Sequence, residues 1–147
     1  MMGPVLHHVG MVLRSGKEST KFMSDFRNLG FVLSDPDFER VEEFKCMCYL
    51  YGQLEIIVPD KGSKLDSWMD ESITTLHHIC LVVDDVRKHA GMLRDKGVPI
   101  LSDEPVNGVA GLLVNFVHPM YMGMMVEIAE VRPTSTRNRV GGDSEWA

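Results

Sequence analysis

The sequence predicts an α+β protein in which two βαβββ modules form a curled, eight-stranded mixed sheet around a central cleft. Two internal repeats of the 147-residue chain lead to this prediction. The stretch LHHVGMVL at 6–13 returns as LHHICLVV at 76–83, and LEIIV at 54–58 has a counterpart in VEIAE at 126–130. All four stretches are short and apolar, as buried strands are, and a helical pattern follows each LHH copy. One motif is therefore used twice.

The first module is assigned to residues 1–58. Its first strand is followed by KESTKFMSDFRNLG, in which Phe22, Met23 and Phe26 recur at helical spacing and Gly30 is placed to end the helix. Three more strands are expected after this helix, at 31–34, 41–51 and 53–58.

The second module is assigned to residues 76–131. Its helix lies in DDVRKHAGMLRDKG, where Val86, Ala90 and Leu93 share one face and Asp84 or Asp85 is placed as the N-cap. The strands expected after this helix are at 98–101, 111–118 and 123–130.

The segments outside the modules are polar. Residues 59–75 are expected to form a linker with one helical turn around 65–69. Residues 132–147, RPTSTRNRVGGDSEWA, are expected to form a loosely ordered tail. The two modules together are expected to form one compact domain.

The alternation of side chains along a strand divides each LHH copy into two faces. The bulkier face, which includes Met11 in the first copy and Leu81 in the second, is expected to pack on the helix of its own module. The other face carries His8 and Gly10 in the first copy and His78 and Cys80 in the second. Because Gly10 and Cys80 are small, this second face leaves space in the cleft.

The closing strands place a carboxylate between aliphatic residues, as Glu55 and Glu127. Burial of an unpaired carboxylate is unfavourable, and a divalent cation shared by both carboxylates and both imidazoles would remove the penalty. The predicted ligands are therefore His8, Glu55, His78 and Glu127, a nitrogen and oxygen set that suits Co²⁺, Mn²⁺, Ni²⁺ or Zn²⁺. The alternative is that the histidines are exposed strand-end residues and the glutamates lie on a solvated face.

Composition excludes some classes of partner. The chain has 15 Lys and Arg against 21 Asp and Glu, a net charge of −6, which provides no basic face for nucleic acid. Neither a signal peptide nor a membrane-spanning segment is expected, and the three cysteines indicate a reduced, cytoplasmic compartment. Cys46 and Cys48 are expected to pack in the core, with a cysteine metal site as the alternative.

These motifs resemble a known family. LHHVGMVL, LEIIVP, LHHICLVVDDV and the stretch from Asp103 to Glu130, with DEP, a glycine loop and NFVHP, are similar to the vicinal-oxygen-chelate superfamily, and within it most similar to methylmalonyl-CoA epimerases. The resemblance implies a homodimer of paired βαβββ modules around a divalent metal, with ligands at the positions of His8, Glu55, His78 and Glu127. Two His and two Glu also resemble the metal set of glyoxalase I.

The function implied is epimerisation of an acyl thioester, of which a coenzyme A ester is the expected carrier, through an enolate. Glu127 and Glu43 are the predicted catalytic bases, with Lys45 as the alternative to Glu43 for the residue that faces the cleft. The chain departs from the epimerase pattern after His118 and Pro119, because MYMG follows them where the family usually has Lys-Ser. The alternatives are a glyoxalase I-type lactoylglutathione lyase and a metal-free protein that binds and sequesters a ligand such as a drug.

Overall fold

The computed structural model describes residues 3–14, 17–30, 35–68 and 74–132. The strands are β1 (Val5–Leu13), β2 (Asp37–Val41), β3 (Cys46–Tyr51), β4 (Leu54–Pro59), β5 (Thr74–Val82), β6 (Val106–Asn107), β7 (Leu112–Val117) and β8 (Met125–Val131). The helices are α1 (Lys17–Asn28), α2 (Lys64–Trp68) and α3 (Val86–Asp95). The predicted strand at 31–34 and the tail from 133 onward lie outside the described residues.

Within the described residues the strands form one eight-stranded sheet in the order β2-β3-β4-β1-β5-β8-β7-β6. Strand β1 pairs with β4 in parallel and β5 pairs with β8 in parallel, whereas β1 and β5 meet antiparallel at the centre. From that central pair outward, the strand order is β1-β4-β3-β2 in the first half and the equivalent β5-β8-β7-β6 in the second. The predicted fold class, an α+β protein with a mixed sheet built from two equivalent modules, is confirmed.

The sheet curls until its two ends approach each other. Val109, in a 3₁₀ turn at Val109–Gly111 just before β7, packs in one buried cluster with Val12, Val41 and Cys48 of the first module. The concave face is therefore enclosed by both modules, and the cleft lies between them.

The helices cover the convex face, as the alternation predicted. Met23 of α1 is fully buried against Leu13 and Ile56, and Ala90 of α3 packs against Ile128 and its neighbours. Asp85 is the N-cap of α3, because its side chain accepts a hydrogen bond from the backbone N–H of Lys88. In the described part of the chain, no helix is both long and apolar enough to cross a membrane.

The predicted continuous strand at 41–51 is wrong, because a 3₁₀ turn at Glu42–Phe44 and Lys45 separate β2 from β3. Lys45 has the left-handed φ of 52°, which is incompatible with a strand. Arg40 holds the turn in place: its guanidinium donates to Glu42 at 2.8 Å and to both carboxylate oxygens of Asp60 at 2.6 Å.

The predicted strand at 98–101 is also wrong, and the strand before β7 is instead β6 at Val106–Asn107. Ile100 forms only an isolated bridge with Val117, and the short strand β6 pairs with β7 instead. Pro99 has no backbone N–H and cannot donate to a ladder, which limits pairing at this point.

Candidate metal centre

The two central strands bring one histidine from each module to the middle of the cleft. The Nε2 atoms of His8 and His78 lie 3.1 Å apart, and both residues are only 1 % exposed. This contact joins residues 70 positions apart in the chain. It follows directly from the antiparallel pairing of β1 with β5.

The flanking strands add one glutamate each. Gly10 of β1 is paired with Glu55 on one side and with His78 on the other. Cys80 of β5 is paired in the same way with His8 and Glu127. Two rows of three residues therefore run across the central strands, and each row has a small residue between a histidine and a glutamate. The small central residues leave room for the four larger side chains to converge above them.

The four predicted ligands surround one point. Oxygen atoms of Glu55 lie 3.4 Å from His8 Nε2 and 3.7 Å from His78 Nε2. Oxygen atoms of Glu127 lie 3.6 Å from each of the same two nitrogens. Donor atoms bound to one metal ion at about 2.1 Å would be roughly 3.0–3.4 Å from their neighbours, so the set is close to ligating geometry without rearrangement.

Burial determines the protonation of this group. Desolvation raises the pKa of Glu55 well above its ordinary value, with the charge of Glu127 adding to the effect. Desolvation also raises the pKa of Glu127 to about 7, although a hydrogen bond with Cys80 opposes the increase. The pKa of His8 falls to about 4 and that of His78 falls well below its usual value, both mainly through desolvation.

These shifts fit a divalent cation. Neutral imidazoles have the free lone pair that metal ligation requires, and two buried carboxylates are unfavourable without a positive charge between them. Histidine nitrogen and carboxylate oxygen are donors typical of first-row divalent metals. The residues present therefore fit the metal that the sequence predicts.

Among the described residues, two groups of three potential ligands have donor atoms within 4.8 Å of one another. They are His8, Glu55 and His78, and His7, His8 and Cys80. The second group is a poor metal site, because burial strongly raises the pKa of the Cys80 thiol and disfavours the thiolate. The first group, completed by Glu127, is the candidate centre.

A cavity of about 560 Å³ opens beside this centre, bordered by Glu55, His78 and Glu127. Its walls are otherwise mainly apolar, including Val109, Val114, Phe116, Met124 and Met125. The volume is in the range typical of small-molecule sites, roughly 300–1,000 Å³. Of the described residues that line it, Lys64 of α2 is the single Lys or Arg.

The structure does not bring Glu43 to the four ligands. Glu43 and Lys45 are exposed in and beside the 3₁₀ turn, and neither lines the cavity. Their neighbour Phe44 does so, with its ring in edge contact with that of Phe116 at 5.7 Å between centroids. Sequence reasoning missed Phe44 and Lys64 as cavity residues, because nothing in their local pattern separates them from ordinary surface positions. Cys46 and Cys48 are buried, as expected, and also line the cavity.

Comparison with protein families agrees with this architecture. The family model of the glyoxalase/bleomycin resistance protein/dioxygenase superfamily matches residues 7–116. The match includes three of the four candidate ligands and ends before Glu127.

Two curated relatives are epimerases. The chain is 41 % identical over 56 residues to a mitochondrial methylmalonyl-CoA epimerase from Dictyostelium discoideum, a match that covers 37 % of this chain and 34 % of that protein. It is 31 % identical over 83 residues to an ethylmalonyl-CoA/methylmalonyl-CoA epimerase from Cereibacter sphaeroides, covering 54 % of this chain and 62 % of that protein. The matched stretches span less than two thirds of either relative.

Solved structures share the fold. A methylmalonyl-CoA epimerase from Mycobacterium tuberculosis superposes with a TM-score of 0.73 at 22 % identity, over 87 % of this chain and 88 % of that one. A methylmalonyl-CoA epimerase in complex with methylmalonyl-CoA and NH₄⁺ gives a TM-score of 0.74 at 23 % identity, over 90 % and 98 % of the two chains. A Streptomyces coelicolor epimerase variant in complex with 2-nitronate-propionyl-CoA gives 0.73 at 24 % identity, over 86 % and 96 %.

Proposed function

The chain belongs to the glyoxalase/bleomycin resistance protein/dioxygenase superfamily, and within it we propose that the protein is a metal-dependent epimerase of a 2-substituted malonyl thioester of coenzyme A. One observation carries the proposal: His8, Glu55, His78 and Glu127 converge within 3.1–3.7 Å at the side of a cavity large enough for an acyl group. The epimerase relatives support the choice of reaction.

His8, Glu55, His78 and Glu127 would hold the divalent metal ion. When bound, a divalent ion supplies Lewis-acid stabilisation of the negative charge that develops on the thioester oxygen as the α-proton leaves. The apolar walls exclude water around this charge, which strengthens the electrostatic interaction.

Glu127 is the proposed base in addition to being a ligand. Its carboxylate borders the cavity and lies 3.6 Å from the Nε2 atoms of both ligand histidines, where it can meet the α-proton of an acyl group bound beside the metal site. The α-proton passes to a Glu127 oxygen, and the C–H electron pair moves toward the thioester carbonyl. A second acid then protonates the opposite face of the α-carbon to give the other epimer, and proton exchange with solvent returns both groups to their starting states.

The resemblance assigns the proton transfer on the opposite face to Glu43. That side chain is exposed in the turn and outside the cavity lining, so its role stays a prediction. The same resemblance implies a homodimer, and light scattering that gives twice the mass of one chain would support it.

The substrate is proposed from the cavity and from the relatives. Two of the similar epimerases are complexed with coenzyme A thioesters, methylmalonyl-CoA and 2-nitronate-propionyl-CoA. Lys64 on the cavity wall is suited to bind an anionic group of such an ester, either its free carboxylate or a phosphate.

Deuterium exchange tests the reaction directly. The metal-reconstituted protein is incubated with methylmalonyl-CoA in D₂O, and the mass gain at the α-carbon is followed against a protein-free blank. We expect rapid exchange of one hydrogen, which His78→Ala abolishes because a ligand is lost.

Two other outcomes would reject the proposal. With metal bound, no exchange above the blank, together with isomerisation of the hemithioacetal of methylglyoxal and glutathione, would instead identify a glyoxalase I-type lyase. Failure of the purified chain to bind any divalent metal would favour a ligand-binding member of the superfamily.

A further inference from the structure

Each candidate ligand histidine is preceded by a second histidine that the proposed reaction does not use. These residues, His7 and His77, are the extra residues of two β-bulges between β1 and β5. Leu6 pairs with Leu81 and His8 pairs with Cys80, so two steps along β1 match one step along β5 and His7 is the extra residue. Gly10 pairs with His78 and Met11 pairs with Leu76, so here the extra residue is His77 on β5.

The bulges change the direction of both side chains. Strict alternation would place His7 and His77 on the helix side of the sheet, away from the ligands that follow them. A bulged residue does not follow the alternation of the strand, so its side chain can point to the other face of the sheet, as is common beside active sites. Here His77 lines the cavity together with His78.

Both bulged histidines contact the ring of the next residue in the same way. His7 Nδ1 lies 2.8 Å from His8 Nδ1, and His77 Nδ1 lies 2.8 Å from His78 Nδ1. The ring centroids are 5.1 Å apart in both pairs, with interplanar angles of 78° and 87°. The same hydrogen bond is thus built twice, once in each module.

The direction of this bond follows from ligation. The Nε2 atoms of His8 and His78 face each other and the glutamates, so in a metal-ligating neutral imidazole the ring proton lies on Nδ1. That Nδ1–H donates to the Nδ1 of the preceding histidine, which must then be an acceptor. An orienting partner of this kind fixes both the tautomer and the ring plane of a ligand.

We propose that His7 and His77 are positioning residues that hold His8 and His78 with Nε2 directed at the metal. This inference rests on the proposed metal site. A neutral imidazole is a suitable acceptor here, because the carboxylate that often has this role would add a third negative charge beside Glu55 and Glu127.

Cobalt binding tests the inference independently of turnover. Co²⁺ is titrated into the full chain, and its visible absorption reports both the Kd and the ligand field. His7→Phe and His77→Phe keep the ring but remove the acceptor, and each should weaken Co²⁺ binding by about 10–100-fold and alter the spectrum. His7→Asn and His77→Asn place an oxygen acceptor on Cγ, as Nδ1 is, and should bind within about threefold of the wild type.

The matched control is His89→Phe on α3, which should bind Co²⁺ as the wild type does. Circular dichroism verifies that each variant is folded. Long-range ¹H–¹⁵N spectra of the Zn²⁺-loaded protein, labelled at histidine nitrogens, should show the proton of His8 and His78 on Nδ1 in the wild type and in the Asn variants.

The outcomes separate the two claims. Wild-type Co²⁺ affinity in folded Phe variants would overturn the positioning role and leave the metal site intact. Equal losses of Co²⁺ affinity in the Asn and Phe variants would overturn the proposed role of Nδ1 as a hydrogen-bond acceptor. Lack of Co²⁺ binding by the wild-type chain would reject the metal site itself, whereas tight binding without epimerisation would reject only the proposed reaction.

Discussion

The imidazole ring of His78 occupies the space that a side chain on Gly10 would fill. A β-carbon built on Gly10 would come closer than 3.0 Å to three atoms of that ring. The backbone of Gly10 does not have a positive φ, so the glycine is required by the close approach of the ring rather than by backbone conformation. The small residue in LHHVG is therefore part of the candidate metal centre.

Gly10→Ala is expected to displace the His78 ring and weaken metal binding on the order of 100-fold, because the displaced Nε2 no longer meets the other three donors. The Kd of Co²⁺ measures this. The matched control is Gly91→Ala in α3, where a β-carbon would meet nothing within 4 Å. This control should keep the wild-type Kd and raise the free energy of unfolding by about 1 kcal/mol. Equal Kd values for both variants would contradict the assignment of His78 as a ligand.

Metal affinity is expected to rise with pH. In the metal-free protein the pKa of Glu127 is about 7, so below pH 7 this carboxyl holds a proton that metal binding must release. The pKa of Glu55 is shifted in the same direction, whereas that of His8 falls to about 4, so Glu127 and not His8 sets the pH dependence of metal binding between pH 6 and 8.

For each proton released, the Kd should fall by about tenfold per pH unit up to pH 7. Calorimetry at pH 6 and pH 8, in buffers of different ionisation enthalpy, measures both the Kd and the number of protons. A Kd that does not change with pH would show that Glu127 is already ionised before the metal binds, and a Kd that falls as the pH is lowered would contradict proton release on binding.

The four candidate ligands were predictable because two independent patterns coincide on them. Strand alternation places His8 beside the small Gly10 on one face, and the repeat places His78 and Glu127 at equivalent positions in the second module. The role of His7 and His77 was not predictable, because a β-bulge breaks the alternation on which the prediction depends. A bulge depends on pairing with a distant strand, which the local sequence does not reveal.

The turn between β2 and β3 could not be predicted for a related reason. Its conformation depends on ion pairs of Arg40 with Asp60, which is 20 residues away. Without that contact, the stretch 41–51 has the composition of a single strand. Lys64 likewise lines the cavity because α2 is held beside it by distant contacts, of Leu65 with the buried cluster around Val12 and of Asp66 with Arg14 at 3.8 Å.

Lys64→Ala is expected to raise the KM for a malonyl-CoA ester about tenfold and to change kcat by less than about twofold, because the lost contact binds an anionic group and not the reacting carbon. Lys64→Arg should restore most of the affinity. The control is Lys61→Ala, an exposed lysine that does not line the cavity. A loss in kcat with unchanged KM would show that Lys64 instead acts on the transition state.

Substrates with a longer apolar 2-substituent are expected to bind more tightly. The cavity that Glu127 borders is also lined by Val109, Val114 and Phe116. Each buried methylene contributes about 0.8 kcal/mol, or roughly fourfold in affinity. Inhibition constants of methylmalonate, ethylmalonate and butylmalonate against the metal-loaded enzyme measure the trend. Val114→Phe, which fills part of the cavity, should remove the gain for butylmalonate while leaving methylmalonate nearly unchanged. Equal constants for all three in the wild type would show that the substituent does not enter the cavity.

Glu43→Gln separates what the resemblance implies from what the geometry supports. The side chain is exposed, and Phe44 takes the adjacent place on the cavity wall, so the geometry predicts epimerisation within about threefold of the wild type, whereas the role that the resemblance implies for Glu43 predicts a large loss. Following α-hydrogen exchange from each epimer of methylmalonyl-CoA separately gives the sharpest measurement, because loss of one of two bases stops exchange from one epimer only. The comparison variant is Glu127→Gln, which removes the proposed base at the metal centre and should stop exchange from at least one epimer. A loss of 100-fold or more in Glu43→Gln, confined to one epimer, would show that the turn carries this carboxylate into the cavity when substrate binds.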